Sequence, residues 1–132
     1  MVFVDTNILL DVVIPNPDWV NWSASQLLQL ARIHDLVINP IVYAELSVSF
    51  SSIAKVEASI ADLDLKLHDM PREVAFLAGK AFAQYRRNGG TRTSVLPDFF
   101  IGAHASVLTA SLLTRDPQRF KTYFPTVHLI TP

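Results

Sequence analysis

Apolar residues fall along this chain in two rhythms. Short runs, too brief for helical periodicity, stand at Val2-Phe3-Val4, Leu36-Val37-Ile38, Ser111-Leu112-Leu113-Thr114 and Val127-His128-Leu129-Ile130, while Leu63-Asp64-Leu65-Lys66-Leu67 alternates at strand period. Between them the spacing is helical. Thr6 to Val13 predicts a short helix stopped by Pro15 and Pro17. Asp18 reads as the N-cap of a helix to about Ile33, with Trp19, Trp22, Leu27, Leu28 and Leu30 on its apolar side. Pro40 opens a helix to Val48, Ser51-Ser52 interrupts, and a helix over 53–61 follows. A longer helix runs from Pro71 to Arg87 and is stopped by Asn88-Gly89-Gly90. Pro97-Asp98 opens a helix to about Val107, and Asp116-Pro117 a short one. Short strands alternating with helices predict an α/β fold on a parallel sheet. No repeat or linker divides the chain, so residues 1–132 read as one domain, with the helices between 40 and 61 as a small projecting subregion.

Composition narrows the function classes. Half of the residues are hydrophobic and 17% are charged, enough for a core and too apolar for disorder. There is no cysteine, which excludes disulfides and thiolate metal sites and fits a reducing compartment. The N-terminus lacks a basic leader, Asp5 and Asp11 interrupt its apolar stretch, and no uncharged run reaches the ~18 residues of a membrane span. A cytoplasmic protein is expected. Net charge is −1, but residues 86–121 hold six basic side chains and two acids. Arg86, Arg87, Arg92 and Arg115 are candidates for a phosphate-facing surface; a solvated charged face is the plainer alternative.

The acids carry the candidate chemistry. Asp5 and Asp116 each follow an apolar strand, where ligands bind in open parallel sheets, and each could equally cap the next helix. Asp98 stands at a helix start on the face of Ile101, Gly102 and Ala105, a small apolar face suited to close packing on the sheet. Glu45 lies inside the helix after Pro40, beside apolar positions, and can cap nothing. A carboxylate there is costly unless something pairs with it. Four carboxylates gathered together would repel one another, and a bound cation removes that penalty. Oxygen-only ligands select Mg²⁺ or Mn²⁺, and such a site supports phosphodiester hydrolysis. Thr6, Asn7 and Thr114 are short polar neighbours able to orient the carboxylates, or to serve only local turns. The four histidines show no metal-binding spacing, and His104 reads as structural.

Taken in order, V-D-T-N, Y-A-E-L, L-P-D-F-F-I-G-A-H-A and L-L-T-R-D resemble the PIN-domain ribonucleases, above all the VapC-type toxins of toxin–antitoxin pairs. The resemblance spans nearly the whole chain. It implies a PIN-like three-layer α/β/α fold, a central mainly parallel sheet flanked by helices, with Asp5, Glu45, Asp98 and Asp116 converging at one edge. It further implies Mg²⁺- or Mn²⁺-dependent cleavage of RNA, restraint by a cognate antitoxin, and a homodimer. On this reading Asp5 and Asp98 hold the principal ion, Asp116 is a further direct or water-mediated ligand, and Glu45 orients or deprotonates water. Some PIN proteins carry another acid two positions after the last aspartate, where this chain has Gln118.

Two rival readings remain. Receiver domains and haloacid-dehalogenase phosphatases also place acids at strand ends. The first need a lysine after a late strand, which is missing here, and the second a pair of aspartates flanking one residue, where this chain has Asn7. The other rival is a partner-binding module whose acids are only caps.

Overall fold

The computed structural model describes residues 1–132. Its elements, in chain order, are β1 (Val2–Val4), α1 (Thr6–Val13), α2 (Val20–Ala31), β2 (Leu36–Ile38), α3 (Pro40–Ser47), α4 (Ile53–Asp62), β3 (Leu65–Leu67), α5 (Arg72–Arg87), α6 (Leu96–Val107), β4 (Ser111–Leu113), α7 (Gln118–Tyr123) and β5 (Leu129–Ile130). The five strands form one sheet in the order β3-β2-β1-β4-β5, and every pairing is parallel. Parallel strands must be covered on both faces, which is why β1 and β2 are continuous apolar runs and wholly buried. The edge strands β3 and β5 are only partly covered.

Connections run from β1 outward to β2 and β3, then return across the sheet to β4 and β5. Right-handed crossovers running in opposite directions place their helices on opposite faces, giving the three-layer α/β/α arrangement. The reversal falls between β1 and β4, so a crevice opens beyond the carboxyl ends of these two central strands. A cluster of 27 buried hydrophobic residues, including Phe3, Ile8, Leu46, Phe99, Leu112 and Phe120, holds the layers together. No helix is long and apolar enough to cross a membrane.

Several expected boundaries shift for local reasons. Asp18 caps nothing. Instead Asn16 Oδ1 accepts the Asp18 N–H at 2.9 Å, an Asx turn sets the entry, and α2 begins at Val20. The alternating segment from Leu63 is strand only from Leu65, because α4 extends to Asp62 and Asp64 turns the chain with φ of 53°. Gly89, with φ of 91°, ends α5 as its position predicted.

The small face of α6 serves α7 as well as the sheet. A Cβ on Gly102 would fall 2.4 Å from the ring of the buried Phe124 and 3.1 Å from Phe120. Gly102→Ala is therefore expected to cost about 1–2 kcal/mol despite the better helix propensity of alanine, read as a lower urea midpoint.

His104 is a core residue. Asn39 Oδ1 accepts the N–H groups of Ile41 and Val42 as the N-cap of α3, so its amide donates to His104 Nδ1 at 3.2 Å. Nδ1 is thus the acceptor, and the buried Nε2, without a partner, carries the proton. Burial, and then the charge of His68, hold the His104 pKa below its usual value.

Candidate active site

The switch point between β1 and β4 fixes the first acid. Val4 is in register with Leu113, and the ladder continues one step as the Asp5 N–H donates to the Leu113 carbonyl at 2.9 Å. Asp5 is the N-cap of α1, its Oδ1 accepting the Thr6 N–H at 2.8 Å, while its Oδ2 accepts the Thr114 hydroxyl at 2.8 Å. Both oxygens thus have a protein donor, and each retains a further lone pair. Thr114 Oγ1 in turn accepts the Asp116 N–H at 3.0 Å, linking the two strand-end acids.

The remaining acids arrive from three helical regions. Glu45, from α3, is half-buried, and its Oε1 accepts the Thr6 hydroxyl at 2.6 Å. Val48, three positions on and on the same helical face, is exposed, so Glu45 borders the cavity and is not embedded in an apolar stripe. Asp98 was expected to open its helix, but α6 starts at Leu96, which puts Asp98 in the third position. There it favours the helix dipole and caps nothing. Asp116 does not cap α7, whose N-cap is Pro117 without a side-chain bond; Asp116 is exposed and faces the crevice. Asp5, Thr6, Asn7, Leu10, Glu45, Asp98 and Asp116 line one cavity of about 200 Å³.

One participant was not foreseen. The Arg119 guanidinium, from α7, pairs with Asp98 Oδ2. Residues 21 positions apart on different elements give no sequence signal for such a pair.

Electrostatics mark the cavity as short of positive charge. Burial first, and then the carboxylates of Asp98 and Glu45, raise the Asp5 pKa to about 7 against the opposing bonds from Thr114 and Thr6. Asp98 is also raised, chiefly by burial and further by Asp116, with Arg119 and Arg92 pulling the other way. A hard divalent cation suits this all-oxygen donor set. As the side chains stand, however, no three acids close into a ready ligand set, and Asp98 is engaged with Arg119. The donor chemistry fits a divalent ion, and Asp98 keeps its Oδ1 outside the pair with Arg119.

The arginines divide. Arg86 and Arg87 are exposed on the last turn of α5, Arg86 lying 5.0 Å over the Phe82 ring. Arg92 is exposed, and its charge reaches Asp98. Arg115 departs from the phosphate-facing expectation: it forks onto Asp11 at 2.7 and 2.9 Å and lies 5.0 Å over Trp19. The buried Asp11 also accepts the Ser23 hydroxyl at 2.6 Å. Asn7 Oδ1 accepts the Arg115 N–H at 3.4 Å, so Asn7 helps hold this loop. Arg115→Ala leaves a buried carboxylate without its cation and should cost about 2–3 kcal/mol, below the fully buried range because Arg115 is partly exposed. A urea titration checks the loss.

The parallel α/β sheet thus gathers four carboxylates in one crevice at its switch point. The sequence model of the PIN domain matches residues 2–124, and the chain belongs to that family, whose members are generally nucleases. Solved structures share the fold. VapBC2 from Rickettsia felis, bound to a DNA fragment from its promoter, gives a TM-score of 0.75 at 23% identity, covering 99% of this chain and 98% of that one. VapBC-1 from nontypeable Haemophilus influenzae gives 0.72 at 22% identity, covering 99% and 98%. FitAcB from Neisseria gonorrhoeae gives 0.63 at 23% identity, covering 98% and 96%. Among curated proteins none matches significantly.

Proposed function

We propose that this chain, residues 1–132 acting as one nuclease domain, is a Mg²⁺- or Mn²⁺-dependent endoribonuclease of the VapC type, the toxin of a toxin–antitoxin pair. The observation that carries the reading is the single crevice at the β1/β4 switch point, where Asp5, Glu45, Asp98 and Asp116 converge with too little positive charge. Asp5 and Asp98 would hold the ion, with Asp116 as a further ligand. When bound, it supplies charge neutralisation on a phosphate and acidifies water. Glu45, fixed by the Thr6 hydroxyl, takes the proton from the attacking water. Thr114 orients Asp5, and Arg119, released from Asp98, becomes available to phosphate together with Arg86, Arg87 and Arg92. RNA as the substrate rests on the family resemblance, since metal-assisted hydrolysis needs no 2′-hydroxyl.

Similarity to toxin–antitoxin complexes supports a cognate antitoxin; that it covers the crevice, and that the chain forms a homodimer, is what the family resemblance implies. Co-production of a second protein should be needed for soluble yield, and light scattering should give twice the chain mass. A second reading is favoured by one observation: Arg119 already neutralises Asp98, as in a binding module whose acids are structural. Calorimetric Mn²⁺ titration separates the two. Specific uptake lost in Asp98→Asn supports the nuclease, whereas no uptake supports the module.

A further inference from the structure

A second cavity, of about 230 Å³, adjoins the acidic one and shares Asp116 with it. Its other walls are Tyr85 from α5 and Gln118, Arg119, Thr122 and Tyr123 from α7. Arg119 belongs to this wall while its guanidinium reaches Asp98, so one side chain joins the two cavities.

The tyrosine rings are held from behind. They meet edge to face at 6.1 Å, and both lean on the buried Phe99, at 5.6 and 5.3 Å. Gly90 lies flush on Tyr85: a Cβ there would fall 2.4 Å from the ring carbons. The Tyr85 hydroxyl accepts the Arg92 N–H at 3.2 Å, and the Tyr123 hydroxyl accepts from the Asn88 amide at 3.4 Å. Both rings are therefore fixed before any ligand arrives, and both remain half-exposed toward the cavity. The polar side is less committed. Thr122 Oγ1 donates to the Gln118 carbonyl at 3.1 Å and keeps its lone pairs, while the exposed Gln118 amide has no partner within the chain.

Preorganised aromatic rings beside an unspent amide and a hydroxyl with free lone pairs offer what an unstacked nucleobase needs: a π-surface to pack on and groups to read its edge. An apolar ligand would leave the amide and Asp116 desolvated, and a bare phosphate would meet Asp116 beside a single cation and leave both rings unused. Resting on the nuclease reading above, we infer that this cavity is a nucleobase subsite. It receives one base of single-stranded RNA flanking the scissile phosphate, packed on Tyr85 and Tyr123 and read by Gln118 and Thr122. The absence of an acid at position 118 then has a use, because an amide can both donate to and accept from a base edge.

The test is cleavage of a random-sequence RNA pool in Mg²⁺, with end sequencing, by wild type, Gln118→Ala, Thr122→Val, Tyr123→Phe and Tyr123→Leu. Gln118→Ala should flatten base preference at one position next to the cut and leave the other positions unchanged. Tyr123→Leu should slow the preferred sequence about 10-fold, and Tyr123→Phe, which keeps the ring, should not. If Tyr123→Leu does not fold, the exposed Gln118→Ala and Thr122→Val still decide. Cleavage by all variants with an unaltered preference overturns the subsite and leaves the nuclease standing. Where wild type cleaves no RNA, anisotropy with labelled oligo(A), oligo(C) and oligo(U) replaces cleavage. Base-dependent binding weakened by Gln118→Ala then supports a base-binding cavity while the nuclease reading, and with it the place beside a scissile phosphate, fails; no binding overturns both.

Discussion

Asp98→Asn is expected to cut RNA cleavage by on the order of 100-fold or more, since the ion that would neutralise the reacting phosphate loses a charged ligand without a change of shape. The measurement is single-turnover cleavage of a labelled RNA at saturating Mg²⁺, with thermal melting as a control for folding. Asp98 is suited to the test because it caps nothing: the α6 start at Leu96 leaves it without a structural bond except to Arg119. Cleavage at the wild-type rate would overturn this site. Glu45→Gln divides the roles further. It should slow cleavage while leaving Mn²⁺ uptake intact, because Glu45 is assigned to the proton and not to the ion.

The second large effect concerns stability and pH. The folded protein holds the Asp5 proton far more tightly than the unfolded chain, with a pKa of about 7 against an ordinary 3.8. Without divalent metal, the contribution of Asp5 is neutral below pH 4, becomes increasingly destabilising as pH rises from about 4 to about 7, and is constant above that. Asp5→Asn keeps an oxygen for the Thr6 N–H and removes the charge. At pH 8 the metal-free variant should exceed wild type in stability by up to about 4 kcal/mol, and the difference should shrink toward zero near pH 4. Urea denaturation in chelator across this range checks it. Mg²⁺ should then raise the stability of wild type at pH 8 and leave Asp5→Asn nearly unmoved. A pH-independent difference would remove the case that Asp5 is a buried, under-neutralised carboxylate.

Asp5 and Glu45 show what could be read locally. A carboxylate directly after three apolar residues signals both a buried strand end and the helix that follows, because strand burial and capping act over two or three neighbours. Glu45 stood out because its position inside α3 excluded capping. Asp18, Asp98 and Asp116 show where that reasoning stops. All three carry the residue type of an N-cap, yet an Asx turn at Asn16 sets the entry to α2, α6 starts at Leu96, and α7 follows Pro117 with no side-chain cap. Arg115 shows the same limit for charge. A basic stretch predicts a surface field, but a buried Asp11 that no local pattern reveals had already engaged one of its members.

The sequence by itself determined the strand and helix periods, hence the parallel α/β class, and the four acids whose spacing sets them at element boundaries or inside α3. These follow from local periodicity, capping and burial cost. Only the tertiary structure decided that β1 and β4 are neighbours, so that Asp5 and Thr114 share a hydrogen bond across 109 positions. It also decided that Arg119 closes on Asp98, and that Tyr85 and Tyr123 wall a second cavity beside Asp116. The physical reason is the same in each case. Strand order and helix packing are set by burial summed over the whole core, and that sum has no period along the chain.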